Sequence, residues 1–152
     1  MTIAARMSRG SKFKVRAVGE QNYSEVHDLK VISLPEATTD QIDVSTLDTD
    51  GRMREFITGA TDPGEISLEG NYKTEDPGQD TIYNFFKEGK VFEWIVEVAT
   101  VSGENKIATL TGKATCSSCK RVGDLSEGEV IPFTATLKVT GETKFELINK
   151  GA

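Results

Sequence analysis

A single histidine, a single tryptophan and two cysteines set the first limits on what this 152-residue chain can do. One histidine, His27, cannot build a site of several imidazoles, and two cysteines are too few for a disulfide scaffold. No apolar run reaches the length of about 18 residues that reads as a membrane-spanning helix. The N-terminus, MTIAARMSRG, lacks the apolar stretch of a secretory signal, which predicts a chain used in a reducing cytoplasm or assembled there before release. The 14 glycines match neither a phosphate-binding loop nor a dinucleotide fingerprint. Hydrophobic residues make up only 37%, which fits one core carrying exposed arms. A chain of this length buries one core well and two poorly, so a single domain over residues 1–152 is expected.

Charge is also one-sided. The net charge of −6 argues against nucleic-acid binding as a resting function. Residues 1–16 hold Arg6, Arg9, Lys12, Lys14 and Arg16 with no acid, whereas residues 36–50 hold Glu36, Asp40, Asp43, Asp48 and Asp50 with no base. Two solvated segments are the plain explanation. The sharper one is a basic N-terminal arm, residues 1–10 with Lys12 beyond it, docking an acidic loop within or between subunits.

What is present in quantity is β alternation. Phe13, Val15 and Ala17 alternate with Lys12, Lys14 and Arg16, as a half-buried strand requires. Val26 to Leu34 reads as a second strand stopped by Pro35, and Ile66, Leu68, Gly70 and Tyr72 mark a third. Phe92, Trp94, Val96 and Val98 share one face of the next, while Val91, Glu93, Ile95 and Glu97 share the other. That pattern predicts cover on both sides near its start, with Trp94 in the core. Ser102 to Asn105 is turn chemistry, and Lys106 to about Cys116 returns as a partner strand. Ile131, Phe133, Ala135, Leu137 and Val139 form the longest clean alternation, and Phe145 to Ile148 reads as a short last strand. Short strands between Gly-rich turns predict a mainly β protein, a sandwich or barrel.

One helix is expected over residues 78–88. Asp76-Pro77-Gly78 reads as a turn, Asp80 as the N-cap and Gly89 as the C-terminal stop. Ile82, Phe85 and Phe86 fall at i, i+3 and i+4, so this face is expected to pack on the sheet. A helix of two to three turns does not stand alone in water.

The stretch from Pro35 to Gly64 fits neither pattern. Loops beyond about 12–15 residues are uncommon in compact domains and are usually functional or disordered. This one carries Ile42, Leu47, Met53, Phe56 and Ile57 with no core to bury them, and Arg52 among them. Apolar anchors without a core predict ordering against another chain. That is the signature of an assembly protein rather than an enzyme.

Candidate chemistry is thin. Cys116-Ser117-Ser118-Cys119 follows a strand, not a helix start, and residues three apart on an extended strand face opposite sides. Structural or incidental cysteines are therefore the favoured reading over a redox pair, and zinc would need further ligands. His27 has no nucleophile near it in sequence and reads as a solvated or strand-face residue. Glu75, Asp76 and Asp80 lack calcium-loop spacing and are explained as turn formers and a cap. No catalytic residue, cofactor or metal is expected.

At the long loop the residues acquire a likeness. Ile42-Asp43-Val44-Ser45-Thr46-Leu47-Asp48, Arg52, Glu55-Phe56-Ile57, Gly59, Asp62-Pro63-Gly64 and Ser67 resemble the major tail tube proteins of long-tailed bacteriophages. The helix ending in Phe85-Phe86, the FEWIVEV strand, Gly112 and the strand from Phe133 to Gly141 follow in the same order. The likeness spans about residues 10–145 and rests on the order of the set; the cysteine pair lies outside it.

The resemblance implies a β-sandwich or barrel with one packed helix, forming hexameric rings that stack into a hollow tube. Such a tube surrounds a tape-measure protein, meets tail-terminator and tail-tip proteins, and later conducts DNA without reading its sequence. It places the chain in the virion tail, assembled in a bacterial cytoplasm without entering a membrane. Arg6, Arg9, Lys12, Asp40, Ile42, Asp43, Leu47, Asp48, Asp50, Arg52, Met53, Phe56 and Ile57 are then the expected inter-subunit residues. Ile82, Phe85, Phe86, Trp94, Phe133 and Leu137 are the expected core. Net negative charge suits a conduit for DNA, because acids lining a lumen repel phosphates. The same fold serves contractile tails and type VI secretion tubes. A monomeric β-sandwich binding module is the alternative from another class, and it would cluster aromatics in a concave patch.

Overall fold

The computed structural model describes residues 11–48, 51, 53–99 and 106–147. Alternating apolar residues decide which face of each strand turns inward. In β1 (Lys12–Ala17) these are Phe13 and Val15, and in β6 (Glu65–Asn71) Ile66 and Leu68. In β7 (Phe92–Ala99) they are Phe92, Trp94 and Val96, and in β8 (Lys106–Lys120) Ala114 and Cys116. In β9 (Pro132–Leu147) they are Phe133, Ala135, Leu137 and Val139. All lie in one cluster, with Trp94, Phe133 and Leu137 fully buried as expected. Each large apolar side chain so buried contributes about 1.5–3 kcal/mol, so this cluster holds the domain together.

With β2 (Ser24–Val26) and β3 (Leu29–Ser33), these strands form one seven-stranded antiparallel sheet in the order β2-β1-β7-β8-β9-β6-β3. The two edge strands are neighbours in sequence, separated only by His27 and Asp28. Laid flat, the edges would lie about 29 Å apart, whereas so short a link reaches at most about 11 Å. The sheet must therefore curl almost shut around its core face. The result is a half-barrel, the barrel form of the expected fold, and not two facing sheets.

Val26 to Leu34, expected to be one strand, is thus two strands on opposite edges. Asp28 takes a left-handed backbone with φ 60°, which breaks the run. An aspartate tolerates that region better than most residues. The expected short last strand is instead the far half of the continuous β9. It pairs with β8 across an irregularity opposite Gly112, with Gly141 (φ 79°) supplying the extra backbone freedom.

Helix α1 (Pro77–Glu88) packs against β8, β2 and β1, and its first turn meets the seam between the two sheet edges. Its N-cap is Asp76, not Asp80. The Asp76 side chain accepts from Gln79 N at 3.1 Å, and Pro77 fits the first turn, where no amide donor is needed. Gly78 touches the seam so closely that a Cβ there would lie 2.2 Å from the Glu25 carbonyl oxygen. Gln79 is fully buried and ties the seam by accepting from Lys73 N (3.0 Å) and donating to the carbonyls of His27 (3.1 Å) and Asn71 (2.9 Å). Ile82 and Phe85 enter the core, Phe85 stacking on Phe92 at 4.6 Å between centroids. Phe86, expected beside them, sits at the rim and is 39% exposed, tilted against Tyr83. The buried stripe runs through Gly78, Gln79, Ile82 and Phe85, one residue narrower than the periodicity implies.

Candidate functional site

The ribbon of β3 and β6 does not end where the sheet ends. Beyond Pro35 on one strand and Pro63 on the other it continues as β4 (Thr38–Asp43) and β5 (Phe56–Asp62), a separate two-stranded sheet. The stretch from Pro35 to Gly64 is therefore a paired β arm rather than a loop without secondary structure. Its strands read TTDQID and FITGATD, so they show no core-facing alternation; pairing with each other supplies the backbone bonds instead.

The arm is held at its root. Gly64 has φ 92°, and a Cβ there would lie 2.6 Å from the Glu36 carbonyl oxygen, so only glycine fits. The Asp62 carboxylate accepts from Gly64 N at 2.9 Å and from Lys138 Nζ at 2.5 Å. The Lys138 bond first, and the Gly64 amide second, hold the Asp62 carboxyl below its ordinary range. Val139 N donates to Gly64 O at 3.1 Å and joins the root to β9. Toward the tip, Asp43 accepts from Ser45 N at 2.9 Å, which lowers its pKa, and lies 3.5 Å from Arg54. Ser45 Oγ accepts from Glu55 N at 2.7 Å.

Beyond that root the described residues of the arm are largely exposed. Every residue of β4 is exposed, and in β5 only Gly59 is half-buried, beneath Ile42. Ile42 and Ile57 are direct cross-strand partners on one face, about half exposed at 48% and 53%. Phe56 pairs with Asp43 on the other face, and Leu47 and Met53 stand free near the tip. Asp40, Ile42, Asp43, Leu47, Asp48, Met53, Phe56 and Ile57 are thus brought together on one arm. Arg6, Arg9, Asp50 and Arg52, and the turn at Ser102–Asn105, lie outside the described residues. Lys12 sits on β1, 3.7 Å from Glu25. The anchoring of Asp62 by Lys138 has no trace in the sequence, because the two are brought together only by the pairing of β6 with β9.

A family model described as the lambda phage tail tube protein matches residues 7–147. The chain belongs to that family. It is a structural protein of the virion tail. Three solved assemblies share the fold of this tail tube protein. The tail of an empty gene transfer agent particle, refined helically with C6 symmetry, matches at TM-score 0.73 and 19% identity, over 93% of this chain and 99% of that one. The SPP1 tail tube matches at 0.69 and 15%, over 95% and 80%. The anti-feeding prophage baseplate matches at 0.74 and 13%, over 96% and 97%. No curated protein matches.

Elsewhere on the tail tube protein, two expectations about reactive residues are revised. Cys116 and Cys119 do not face opposite sides: a bulge between Cys116 and Ser118 shifts the register, and both thiols join the core side. His27 is not merely solvated. Its Nδ1 lies 2.6 Å from Asp76 and its Nε2 3.1 Å from Glu25, at the link between the two sheet edges. Among the described residues no cluster of three or more His, Cys, Asp or Glu is placed to hold a metal. Asp76 is occupied as a cap, and Asp80 lies 3.4 Å from Arg121.

Proposed function

We propose that the chain polymerises as hexameric rings stacked head to tail into the tail tube, with the β4–β5 arm as the contact between subunits. The observation that carries this is the free-standing arm itself. A two-stranded hairpin is marginal in water on its own, yet this one exposes Ile42, Leu47, Met53, Phe56 and Ile57 together. A neighbouring copy supplies the missing cover, and a head-to-tail contact both closes a ring and propagates a stack. The C6 symmetry of the gene transfer agent tail supports the ring number. In this reading the tube conducts DNA, encloses a tape-measure protein, ends on tail-terminator and tail-tip proteins, forms in the bacterial cytoplasm and performs no catalysis.

The test is electron microscopy with sedimentation velocity across a concentration series, on the full chain and on a deletion of residues 41–60. Tubes or rings from the full chain and a folded monomer from the deletion are expected. An unfolded deletion product places the arm in the core instead. A chain that stays monomeric at every concentration, even with tail-tip proteins added, favours the binding-module reading.

Arg6, Arg9 and Lys12 are assigned to the same contact, against arm acids of a neighbour. Reversing all three to Glu is expected to slow assembly more at low salt than at high salt. Equal slowing at both removes the electrostatic docking.

The likeness to the anti-feeding prophage baseplate supports a second reading, a tube ring of a contractile machine. Association with a sheath protein during purification distinguishes it.

A further inference from the structure

A β-bulge sets two thiols side by side. Cys116 pairs with Leu137, Ser118 with Thr136 and Cys119 with Ala135, so two steps along β9 absorb three along β8. Measured along β9, that separation is about 6.8 Å, at the upper edge of the Cα spacing a disulfide spans. Both side chains lie on the core side of the sheet, Cys116 within the core cluster and Cys119 packed against it. Ser117 Oγ donates to Thr136 O at 3.1 Å and braces the bulge.

The two thiols have unequal surroundings. Cys116 is buried in the core cluster, and its Sγ donates to the Ser118 carbonyl at 3.3 Å. Cys119 is half-buried, with Arg121 two residues further on. Arg121 is itself held, 3.4 Å from Asp80 and stacked 4.4 Å from the Tyr83 ring centroid. The contact with Cys119, and then burial, push the Cys116 pKa up. The contact with Cys116 lowers that of Cys119, the Arg121 charge lowers it further, and burial opposes both. One sulfur therefore keeps its proton while the more accessible one loses it more readily.

We propose that Cys116 and Cys119 form a thiol–disulfide exchange site, at which Cys119 attacks a low-molecular-weight disulfide and Cys116 resolves the adduct. The Cys119 thiolate attacks one sulfur of RSSR; the S–S bond breaks and RS⁻ leaves with the electron pair. Cys116, giving its proton to a departing thiolate, then attacks the Cys119 sulfur and expels a second RS⁻. The two protein thiols are oxidised to a disulfide and RSSR is reduced to two RSH, which carry the two protons the thiols lost. The ring closed is short, so the product adds little stability by restricting the unfolded chain. It is a chemical site rather than a structural staple, and it is independent of the assembly reading.

The test is intact-mass analysis of the reduced full chain incubated under native conditions with oxidised glutathione and quenched with acid. The unaltered protein is expected to lose two hydrogens without a lasting adduct. Cys116→Ser is expected to accumulate a stable glutathione adduct, and Cys119→Ser to react more slowly by about tenfold or more. Arg121→Gln, which leaves both thiols in place, is expected to slow the first step severalfold, and it keeps the test decisive if Cys116→Ser misfolds. Cys119→Ser reacting as fast as Cys116→Ser overturns the proposal. So does an unaltered protein that stops at the adduct, or thiols that react only in denaturant.

Discussion

The Asp76 carboxylate binds His27 to the first turn of α1: Oδ1 lies 2.6 Å from His27 Nδ1, and Oδ2 accepts His27 N and Gln79 N at 3.1 Å each. His27 belongs to the link between the two edges of the sheet, so one side chain caps the helix and locks the curl. Asp76 is 1% exposed, and water cannot replace those bonds.

Replacing Asp76 with Ala should therefore cost more than a lost cap. A cap alone is worth about 0.5–2 kcal/mol, and donors left buried without a partner add about 1–3 kcal/mol. Urea denaturation of Asp76→Ala is expected to show a loss of about 2–4 kcal/mol. Glu25→Ala, which removes the partly exposed partner of His27 Nε2 and of Lys12 but leaves Asp76 in place, should lose less than about 1 kcal/mol. Equal losses would mean that the seam does not depend on Asp76.

Phe85 and Phe86 are adjacent and chemically identical, which makes them a clean comparison. Phe85 is 7% exposed and stacked on Phe92, whereas Phe86 lies at the rim. Phe85→Ala is expected to cost about 3–5 kcal/mol, as for a buried aromatic. Phe86→Ala should cost less than about 1 kcal/mol in the monomer. A melting series on the two variants checks this, and comparable losses would return Phe86 to the core.

These two residues also show how far the sequence carries. Alternation places Phe13, Trp94, Phe133 and Leu137 correctly, because a strand buries every second residue whatever its partner is. Helical periodicity bounds the apolar face only to within one residue, so Phe85 and Phe86 look alike until the sheet is in place. The cap is ambiguous for a similar reason: Asp76 and Asp80 both suit an N-cap, and only the seam shows which side chain is buried. The bulge at Cys116 and the pairing of β4 with β5 leave no periodic signal, since each arises from register rather than from burial. The arm is legible as a segment with anchors and no core; its strands are not.

At the root of the arm, acid is the informative variable. Asp62 is held below its ordinary pKa of 3.8 by Lys138 and the Gly64 amide. A carboxylate with a depressed folded pKa contributes stability above its unfolded value and loses it as pH falls through the folded one. The Asp62–Lys138 contact should thus be intact at about pH 5 and fade only below 3.8. The Gly64 amide resonance, followed by NMR in dilute protein, is expected to titrate in that acid range and to become flat in Asp62→Asn. A midpoint at or above 3.8 would show that Lys138 does not hold the carboxylate in solution.

The arm surface offers the sharpest separation of folding from assembly. Ile42 and Ile57 are paired on one face and about half exposed, so replacing both with Asn removes little from the monomer. Surface changes of this kind usually stay within about 0.5 kcal/mol each. Under the proposed assembly a neighbour covers the same face, and two buried amides without partners would cost about 1–3 kcal/mol apiece. Every subunit bears that cost, so even the lower figure raises the concentration needed for polymerisation by more than about tenfold per residue pair. The Ile42→Asn, Ile57→Asn protein is expected to match the unaltered chain in urea denaturation while failing to form tubes at concentrations where that chain does. Tubes at the same concentration would show that this face stays wet in the assembly and would shift the contact to Phe56 on the other face of the arm.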